Sequence, residues 1–440
     1  MGGFGKRLAG LAAPTALALA STLAATACSG GGTTTVSPAA RAAGKAGHGS
    51  GHAAVAPQRA PQYVTITPAS GRDADPSKGI TVTTSRGTLT SVSVQTSGSQ
   101  VTGGYSAGKT SWHSTWALGV SQSYTVTATA SVGGHSDTRT SRFRTLTPSS
   151  TFTTEIINGY DQTYGVGMPI LLYFSQKITN RAAVERALQI STSKPVVGAW
   201  YWDDSCGTAP TCAYFRPRDY WPSGTTVSFT GHLDGVEGAP GVYGHHTLTQ
   251  SFRIGRSVIA VGSPKTHRTQ IYVDGHKWYD WPISTGRPGD DTPDGSYLTI
   301  EKENPVRMKG PGYNLLVPWS VRFTWSGDYY HDAYWSTGEQ GFTNVSHGCV
   351  NLSPADAEVY YKLAIPGDPI TITGSPKSGT WDNGWTMWFL NWKQYLKGSA
   401  LGKAVEAGPG GSTFVDPSTL PSDHAKAPLQ TSPWNNAAAS

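Results

Sequence analysis

Charged side chains are scarce in this chain of 440 residues. Lys, Arg, Asp and Glu together make up 14% of the sequence, and the formal net charge is only +6. No dense run of Lys and Arg is present. The composition therefore argues against a nucleic-acid-binding protein.

Cysteine is also scarce, and the first of the four cysteines lies in a targeting segment. The basic Lys6 and Arg7 precede an apolar, Ala-rich run, which is typical of a secretory signal. "LAATAC" at 23–28 resembles a bacterial lipobox, which implies that Cys28 becomes the lipidated first residue of the mature protein. We therefore expect a secreted lipoprotein on the outer face of the cytoplasmic membrane. A membrane-spanning helix is less favoured, because the run is rich in Ala and Thr.

The remaining three cysteines divide into a pair and a single thiol. Cys206 and Cys212 flank a loop with Gly and Pro, and outside the cytoplasm such a pair favours a disulfide. A zinc site is the alternative, but no second pair of ligands stands nearby. Cys349 is then left without a partner, and we expect an unpaired thiol in an oxidising compartment to be reactive.

Alternating apolar and polar residues predict a mainly β protein. Tyr124, Val126, Ala128 and Ala130 fall on one face of a strand, and similar segments recur between turn-forming residues. We expect two β-sandwiches and then a third β-rich unit. The predicted organisation is 1–28 lipoprotein signal peptide, 29–60 flexible linker, 61–148 and 149–256 sandwich domains, 257–375 catalytic domain, 376–402 Trp-rich C-terminal subdomain and 403–440 disordered tail.

The third unit and its C-terminal extension carry several local signals. Asp274-Gly275 between alternating arms predicts a two-residue hairpin turn, and Ser353 before Pro354 predicts a helix N-cap. Tryptophans occur at 381, 385, 388 and 392, a spacing that places them on one helical face. We expect this element to pack on the third unit, although a surface that contacts sugar or membrane is an alternative.

Cys349 lies in "SHGCVN" at 346–351, where its neighbours suggest acyl-transfer chemistry. A free thiol has a pKa of about 8.5, so a nucleophilic cysteine needs a base to form a thiolate–imidazolium pair. His347 and His331 are both candidates. Amides around Gly348 and Cys349 could bind an oxyanion, with the Tyr313 hydroxyl as a further donor.

Simpler explanations exist for the same residues. A single cysteine is often a buried apolar residue, and a single histidine on a strand is often structural. His331, His347 and Cys349 could also bind zinc and leave an open coordination position.

His331 and the segment at 346–351 are separated by fourteen residues, a spacing that resembles the signature of the L,D-transpeptidase (YkuD-type) catalytic domain. The order of lipobox, sandwiches, catalytic unit and Trp-rich element resembles the actinobacterial wall-anchored members over roughly residues 60–395. The resemblance implies a mainly β fold: two Ig-like β-sandwich domains, a β-rich YkuD-like domain with a short helix, and a Trp-rich C-terminal element.

The resemblance also assigns roles to individual residues. It implies that Cys349 is the nucleophile, that His331 is its general base or proton donor, and that His347 supports the site. Gly348 would supply a backbone donor to the oxyanion. Residues expected to contact substrate are Tyr313, Asp332, Trp335, Ser346 and Asn351. Asp332 departs from the family pattern, in which Ser or Gly often follows the base and its carbonyl orients the imidazole.

The reaction that the resemblance implies is acyl transfer between peptidoglycan stem peptides, without a metal or organic cofactor. Cys349 would attack a tetrapeptide donor, release D-Ala and form a thioester. The side-chain amine of an acceptor diamino acid would then form a 3→3 cross-link, and carbapenems would acylate the same thiol. A wall endopeptidase with the same Cys–His pair and a non-enzymatic wall-binding lipoprotein are the alternative functions.

Overall fold

The computed structural model describes residues 62–310 and 313–421. The apolar N-terminal run, Cys28 and the predicted linker lie outside these residues. Among the residues described, no helix is both long enough and apolar enough to span a membrane.

The first sandwich follows directly from the alternating pattern in the sequence. Two four-stranded sheets, β1-β3-β6-β5 and β2-β8-β7-β4, enclose a core that includes Tyr124, Val126, Ala128 and Ala130 on one face of β7, as predicted. The strands are β1 Val64–Thr67, β2 Gly71–Ala74, β3 Thr81–Thr84, β4 Thr88–Thr96, β5 Gly103–Tyr105, β6 Ser111–Ser114, β7 Ser123–Val132 and β8 His135–Thr145.

The second sandwich contains a larger aromatic core. Trp200, Phe215, Trp221 and Phe229 are among its buried residues, and the structure pairs Cys206 with Cys212 in a disulfide. Its elements are β9 Ser150–Phe152, β10 Thr154–Ile156, β11 Thr163–Tyr164, β12 Ile170–Phe174, α1 Arg181–Arg186, β13 Leu188–Thr192, β14 Val196–Asp203, β15 Thr211–Pro217, β16 Thr226–Gly231, β17 Glu237–Ala239, β18 Val242–Gly244 and β19 Leu248–Ile254.

The third unit consists of a five-stranded sheet, β22-β21-β20-β30-β23, and a four-stranded sheet, β24-β27-β28-β29. Its elements are β20 Val258–Ser263, β21 Arg268–Val273, β22 His276–Pro282, β23 Gly295–Leu298, β24 Glu301–Glu303, β25 Val306–Gly310, β26 Tyr313–Val317, β27 Ser320–Arg322, β28 Tyr329–Asp332, β29 Val350–Leu352, α2 Pro354–Leu363 and β30 Pro369–Ile372. The hairpin turn at Asp274-Gly275 and the Ser353 N-cap are both confirmed, since positive φ angles occur at the turn and Ser353 accepts from the Asp356 amide.

The Trp-rich segment does not form the single helical face that the spacing predicts. Only a 3-10 turn, Met387–Phe389, and the short helix α3, Trp392–Leu396, are regular, because Gly384 at φ +136° breaks the segment between Trp381 and Trp385. Trp385 and Trp388 are buried in a cluster that also includes Leu171 of the second sandwich and Leu298 of the third unit. The segment therefore packs against both neighbours.

Residues 403–421 differ from the disordered tail that we expected for 403–440, and residues 422–440 lie outside the described part of the chain. Strands β31 Ala404–Gly408 and β32 Gly411–Val415 form a hairpin, and β31 pairs with β14 at the edge of the second sandwich. Val405 and Ala407 face the sandwich core and are buried. The low sequence complexity gives no sign of this strand, because β31 is stabilised by pairing with β14, about 200 residues earlier in the chain.

Candidate active site

Two parallel strands bring His331 and Cys349 together. In the β28–β29 register, Tyr330 lies opposite Val350 and His331 opposite Asn351. Tyr330 and Val350 both face the buried core. Because side chains alternate along a strand, His331 and Cys349 both project from the opposite face. The two residues that the sequence singled out therefore share one surface of the sheet.

His331 is buried and oriented by the backbone. Its Nδ1–H donates to the carbonyl oxygen of Asp332 at 2.7 Å, which leaves Nε2 as the atom able to accept a proton. Burial lowers the pKa of the His331 imidazole to about 4, partly opposed by this hydrogen bond. The imidazole is thus neutral, and able to act as a base, at neutral pH.

The thiol of Cys349 is also neutral in the resting site. Its Sγ lies 3.7 Å from the carbonyl oxygen of Gly327, the one hydrogen-bond acceptor that it contacts within 62–310 and 313–421. Burial, reinforced by the negative charge of Asp328, raises the pKa of Cys349 to about 12, although the amide of Tyr329 opposes the increase. The resting site therefore holds a neutral thiol and a neutral imidazole, and a thiolate–imidazolium pair requires proton transfer between them.

Hydrogen bonds within the segment at 346–351 fix the backbone around the thiol. Ser346 Oγ donates to the Cys349 carbonyl at 2.6 Å and accepts from the Gly348 amide at 3.2 Å. Thr292 Oγ1 donates to the Gly348 carbonyl at 2.6 Å. The Gly348 amide is therefore already engaged, which corrects its expected role as an oxyanion donor. Ser346 is buried, and it positions the loop.

Asn351 and Asp332 also differ from the substrate contacts that we expected. Both side chains are buried. Asn351 Nδ2 donates to Ser336 Oγ at 2.9 Å, and its backbone exchanges two hydrogen bonds with Ser284. Burial raises the pKa of Asp332, whose backbone carbonyl is the part that contacts His331. The contribution of both residues is to hold the site in shape.

A buried carboxylate that the sequence reading missed lies directly beside Gly348. Gly348 has φ +128°, and a Cβ atom placed on it would lie 2.4 Å from Asp328 Oδ1. Glycine is required here for both reasons. No local pattern singles out Asp328 or Thr292, because their contacts with the 346–351 segment become apparent only once the strands are paired.

A hairpin formed by β25 and β26 covers the nucleophile. Val306, Val317 and Tyr329 form a small buried cluster against which Cys349 packs. The Tyr313 ring lies 5.1 Å from the ring of the exposed His347. Burial and the nearby negative charges raise the pKa of Tyr313, so its hydroxyl keeps a proton to donate.

Trp335 lies beside the base: its ring is 5.8 Å from the ring of His331, and the residue is 44% exposed. An exposed ring beside the base is available for contact with a ligand. In the part of the chain that the structure describes, no three His, Cys, Asp or Glu side chains are grouped so as to hold a metal ion.

Comparison with known proteins places this fold and site in a class. Residues 256–372 match the model of the L,D-transpeptidase catalytic domain, and residues 71–237 match that of a bacterial Ig domain. The mainly β prediction, with Ig-like and YkuD-like parts, is confirmed.

The chain belongs to the L,D-transpeptidase family. It is 34% identical to L,D-transpeptidase 5 of Mycobacterium tuberculosis over 359 residues, which cover 78% of each chain. It is 31% identical to L,D-transpeptidase 2 of the same species, over 70% of this chain and 79% of the relative. A solved structure of LD transpeptidase LdtMt1 in complex with imipenem is 33% identical and covers 51% of this chain and 100% of that chain, with a TM-score of 0.43.

Proposed function

We propose that this L,D-transpeptidase acts on peptidoglycan through a thioester on Cys349 and forms 3→3 cross-links between stem peptides. The observation that carries the proposal is the parallel pairing of β28 with β29, which places His331 and Cys349 on one face. The orientation of His331 by the Asp332 carbonyl supports the same conclusion.

The first half-reaction acylates the thiol. His331 Nε2 takes the proton of Cys349 as Sγ attacks the carbonyl of the third stem residue. The Tyr313 hydroxyl and the Cys349 amide are the donors that we assign to the developing oxyanion. When the carbon–nitrogen bond breaks, the imidazolium returns the proton to the leaving D-Ala amine. Because both groups are neutral at rest, proton transfer accompanies the attack.

The second half-reaction transfers the acyl group to the side-chain amine of an acceptor diamino acid. The new amide bond forms as the carbon–sulfur bond breaks, and Sγ regains a proton. Water in place of the amine would hydrolyse the thioester and release a shortened stem peptide. The balance between the two outcomes depends on how the site presents the acceptor.

Carbapenems are the inhibitors that we propose for the same thiol. A β-lactam carbonyl is an acyl donor, and opening the ring leaves the amine tethered to the acyl group. Attack by Cys349 would therefore give an adduct that is slow to leave.

The sequence supports a location outside the cytoplasm. Lys6, Arg7, the apolar run and Cys28 together favour a lipid-anchored protein on the outer face of the cytoplasmic membrane. We propose that the two sandwiches act as spacers that carry the catalytic domain into the wall.

A comparison of the wild type with Cys349→Ala tests this function. Incubation with a disaccharide tetrapeptide should give D-Ala and a cross-linked dimer with the wild type only, and imipenem should add its mass to the wild type only. Cys349→Ser controls for the shape of the side chain. Cleavage without dimer would favour the endopeptidase alternative, and full cross-linking by Cys349→Ala would contradict the mechanism.

A further inference from the structure

Asp328 has one carboxylate oxygen that the fold leaves unused. Its Oδ2 accepts from Thr324 Oγ1 at 2.7 Å and from Ser326 Oγ at 3.2 Å. Oδ1 accepts no hydrogen bond from any residue in 62–310 or 313–421. The residue is 9% exposed and Oδ1 is not fully enclosed, so a hydrogen-bond donor that enters the site can reach this oxygen.

The unused oxygen faces the nucleophilic segment. It lies 2.4 Å from the position that a Cβ on Gly348 would occupy, so it is in contact with the residue preceding Cys349. Asp328 directly precedes β28, the strand on which His331 lies opposite Asn351. Asp328 and His331 are three residues apart, about 10 Å along a strand. Asp328 therefore contacts the residue before Cys349, whereas His331 lies opposite the residue two positions after it.

The electrostatic surroundings favour a base that attracts cations. Burial raises the pKa of the Asp328 carboxyl, opposed by its bonds with Thr324 and Ser326. The positive charges of Lys377 and Arg322 also oppose this increase in the pKa of Asp328. The negative charge of Asp328 in turn raises the pKa values of Cys349, Tyr313 and Tyr297. A carboxylate with a raised pKa is a stronger base than an ordinary Asp, and its charge favours a protonated amine.

We propose that Asp328 is the acceptor-side base, whose free oxygen binds the ammonium group of the incoming stem peptide and removes one proton from it. This role rests on the proposed function, since it acts on the thioester of Cys349. It deepens that function by assigning one base to each half-reaction. His331 acts on the donor peptide, and Asp328 favours attack by a cationic amine over attack by water.

The proton balance of the transfer step is complete with these groups. The acceptor ammonium gives its first proton to Asp328, and the neutral amine attacks the thioester carbonyl. The second proton passes through His331 to Sγ as the carbon–sulfur bond breaks. The products are an amide with one N–H, a neutral thiol and a protonated Asp328. The carboxyl then releases its proton to solvent.

The test compares nucleophiles on the same acyl-enzyme. Wild type and Asp328→Asn are acylated with the tetrapeptide donor. Each is then offered a stem peptide with a free side-chain amine, methoxyamine (uncharged at neutral pH), or water alone. At pH 7 the variant should transfer to the cationic amine about 10²-fold more slowly, as expected for loss of a general base. Transfer to methoxyamine, which carries no proton that must first be removed from an ammonium group, should fall much less, so the readout is the ratio of the two transfer rates within each protein.

Two further measurements separate this role from a structural one. The deficit of Asp328→Asn should shrink as the pH approaches the amine pKa of about 10.4, because the acceptor then needs no base. Asp280→Asn, which removes an ion-paired carboxylate on the β21–β22 hairpin, is the matched control and should behave as wild type.

Two results would overturn the proposal: unchanged transfer to the cationic amine, or an equal loss with methoxyamine. A wild type that forms no acyl-enzyme would overturn the proposed function and this inference together. If the acyl-enzyme forms and passes its acyl group to the acceptor, but Asp328→Asn changes the rates with charged and uncharged acceptors equally, only this inference fails.

Discussion

The Nδ1 atom of His331 lies 2.7 Å from the carbonyl oxygen of Asp332. A carbonyl can only accept, so this contact fixes which ring nitrogen carries the proton. The group that performs this task is the backbone of residue 332. The family pattern of a small residue after the base can therefore be broken by an aspartate without loss of the orienting contact.

The first prediction concerns stability and pH. The pKa of His331 is about 4 in the folded protein, against about 6.5 in the unfolded chain. The unfolded state takes up the proton first, so this contribution to stability is complete above pH 6.5 and is lost as the pH falls towards 4. The loss amounts to about 3 kcal/mol. Urea unfolding between pH 7 and 4 should show this slope in wild type, and His331→Asn should lack it.

Alkylation provides a second prediction about the resting thiol. Because the pKa of Cys349 is about 12, its reaction with iodoacetamide should keep rising with pH instead of levelling near 8.5 as a free thiol would. Asp328→Asn should raise the rate at a given pH, since it removes a negative charge that disfavours the thiolate. Mass spectrometry follows the adduct, and Cys349→Ala is the blank. A plateau near pH 8.5 would contradict the raised pKa of the thiol.

Gly348→Ala should damage both folding and activity. The φ of +128° and the 2.4 Å approach of Asp328 Oδ1 leave no room for a methyl group. We expect a loss of about 1–3 kcal/mol in unfolding free energy and little acylation by imipenem. Gly338→Ala is the control, because open space surrounds that position. Equal melting temperatures for the two variants would contradict this prediction, because they would mean that the segment at 346–351 shifts to accept the methyl group without a loss of stability.

Tyr313→Phe isolates one hydroxyl. The ring contact with His347 should survive, so the fold and the β25–β26 hairpin should be unchanged. Removal of an oxyanion donor should slow acylation about 10²-fold. Single-turnover mass spectrometry with imipenem measures the rate, and circular dichroism checks the fold. An unaltered acylation rate would remove Tyr313 from the oxyanion site.

Truncation after Lys403 tests the C-terminal hairpin. It removes the β14–β31 pairing and exposes the core surface that Val405 and Ala407 cover. We expect a loss of about 3 kcal/mol, close to the burial of one or two apolar side chains. Glu406→Ala, on the exposed face of the same strand, should have little effect. Thermal unfolding of the three chains gives the comparison.

Local signals in the sequence predicted the local structure well. The alternation at Tyr124–Ala130, the Asp274-Gly275 turn and the Ser353 cap each depend on neighbours within a few residues, so each could be read before the fold was known. The spacing from His331 to Cys349 was readable because one motif contains both residues.

Features that depend on distant partners could not be read in this way. Asp328 belongs to the site only because it contacts Gly348. Thr292 belongs to it only because it donates a hydrogen bond to the carbonyl of Gly348, 56 residues later in the chain. The protonation states of His331 and Cys349 also depend on the fold, because burial lowers the pKa of the imidazole and raises the pKa of the thiol. The spacing of the tryptophans predicts one helical face. Gly384 interrupts the helix, and packing against the second sandwich and the third unit determines where the rings lie.

The pairing of β31 with β14 gives the catalytic domain two mechanical attachments. The chain leaves the second sandwich after Ile254 and rejoins it at Ala404, so the catalytic domain is an insertion between strands of that sandwich. A load on the catalytic domain would be shared by two strand connections, and it could not pivot about a single linker. The orientation of the active site is therefore tied to that of the second sandwich at two points in the chain.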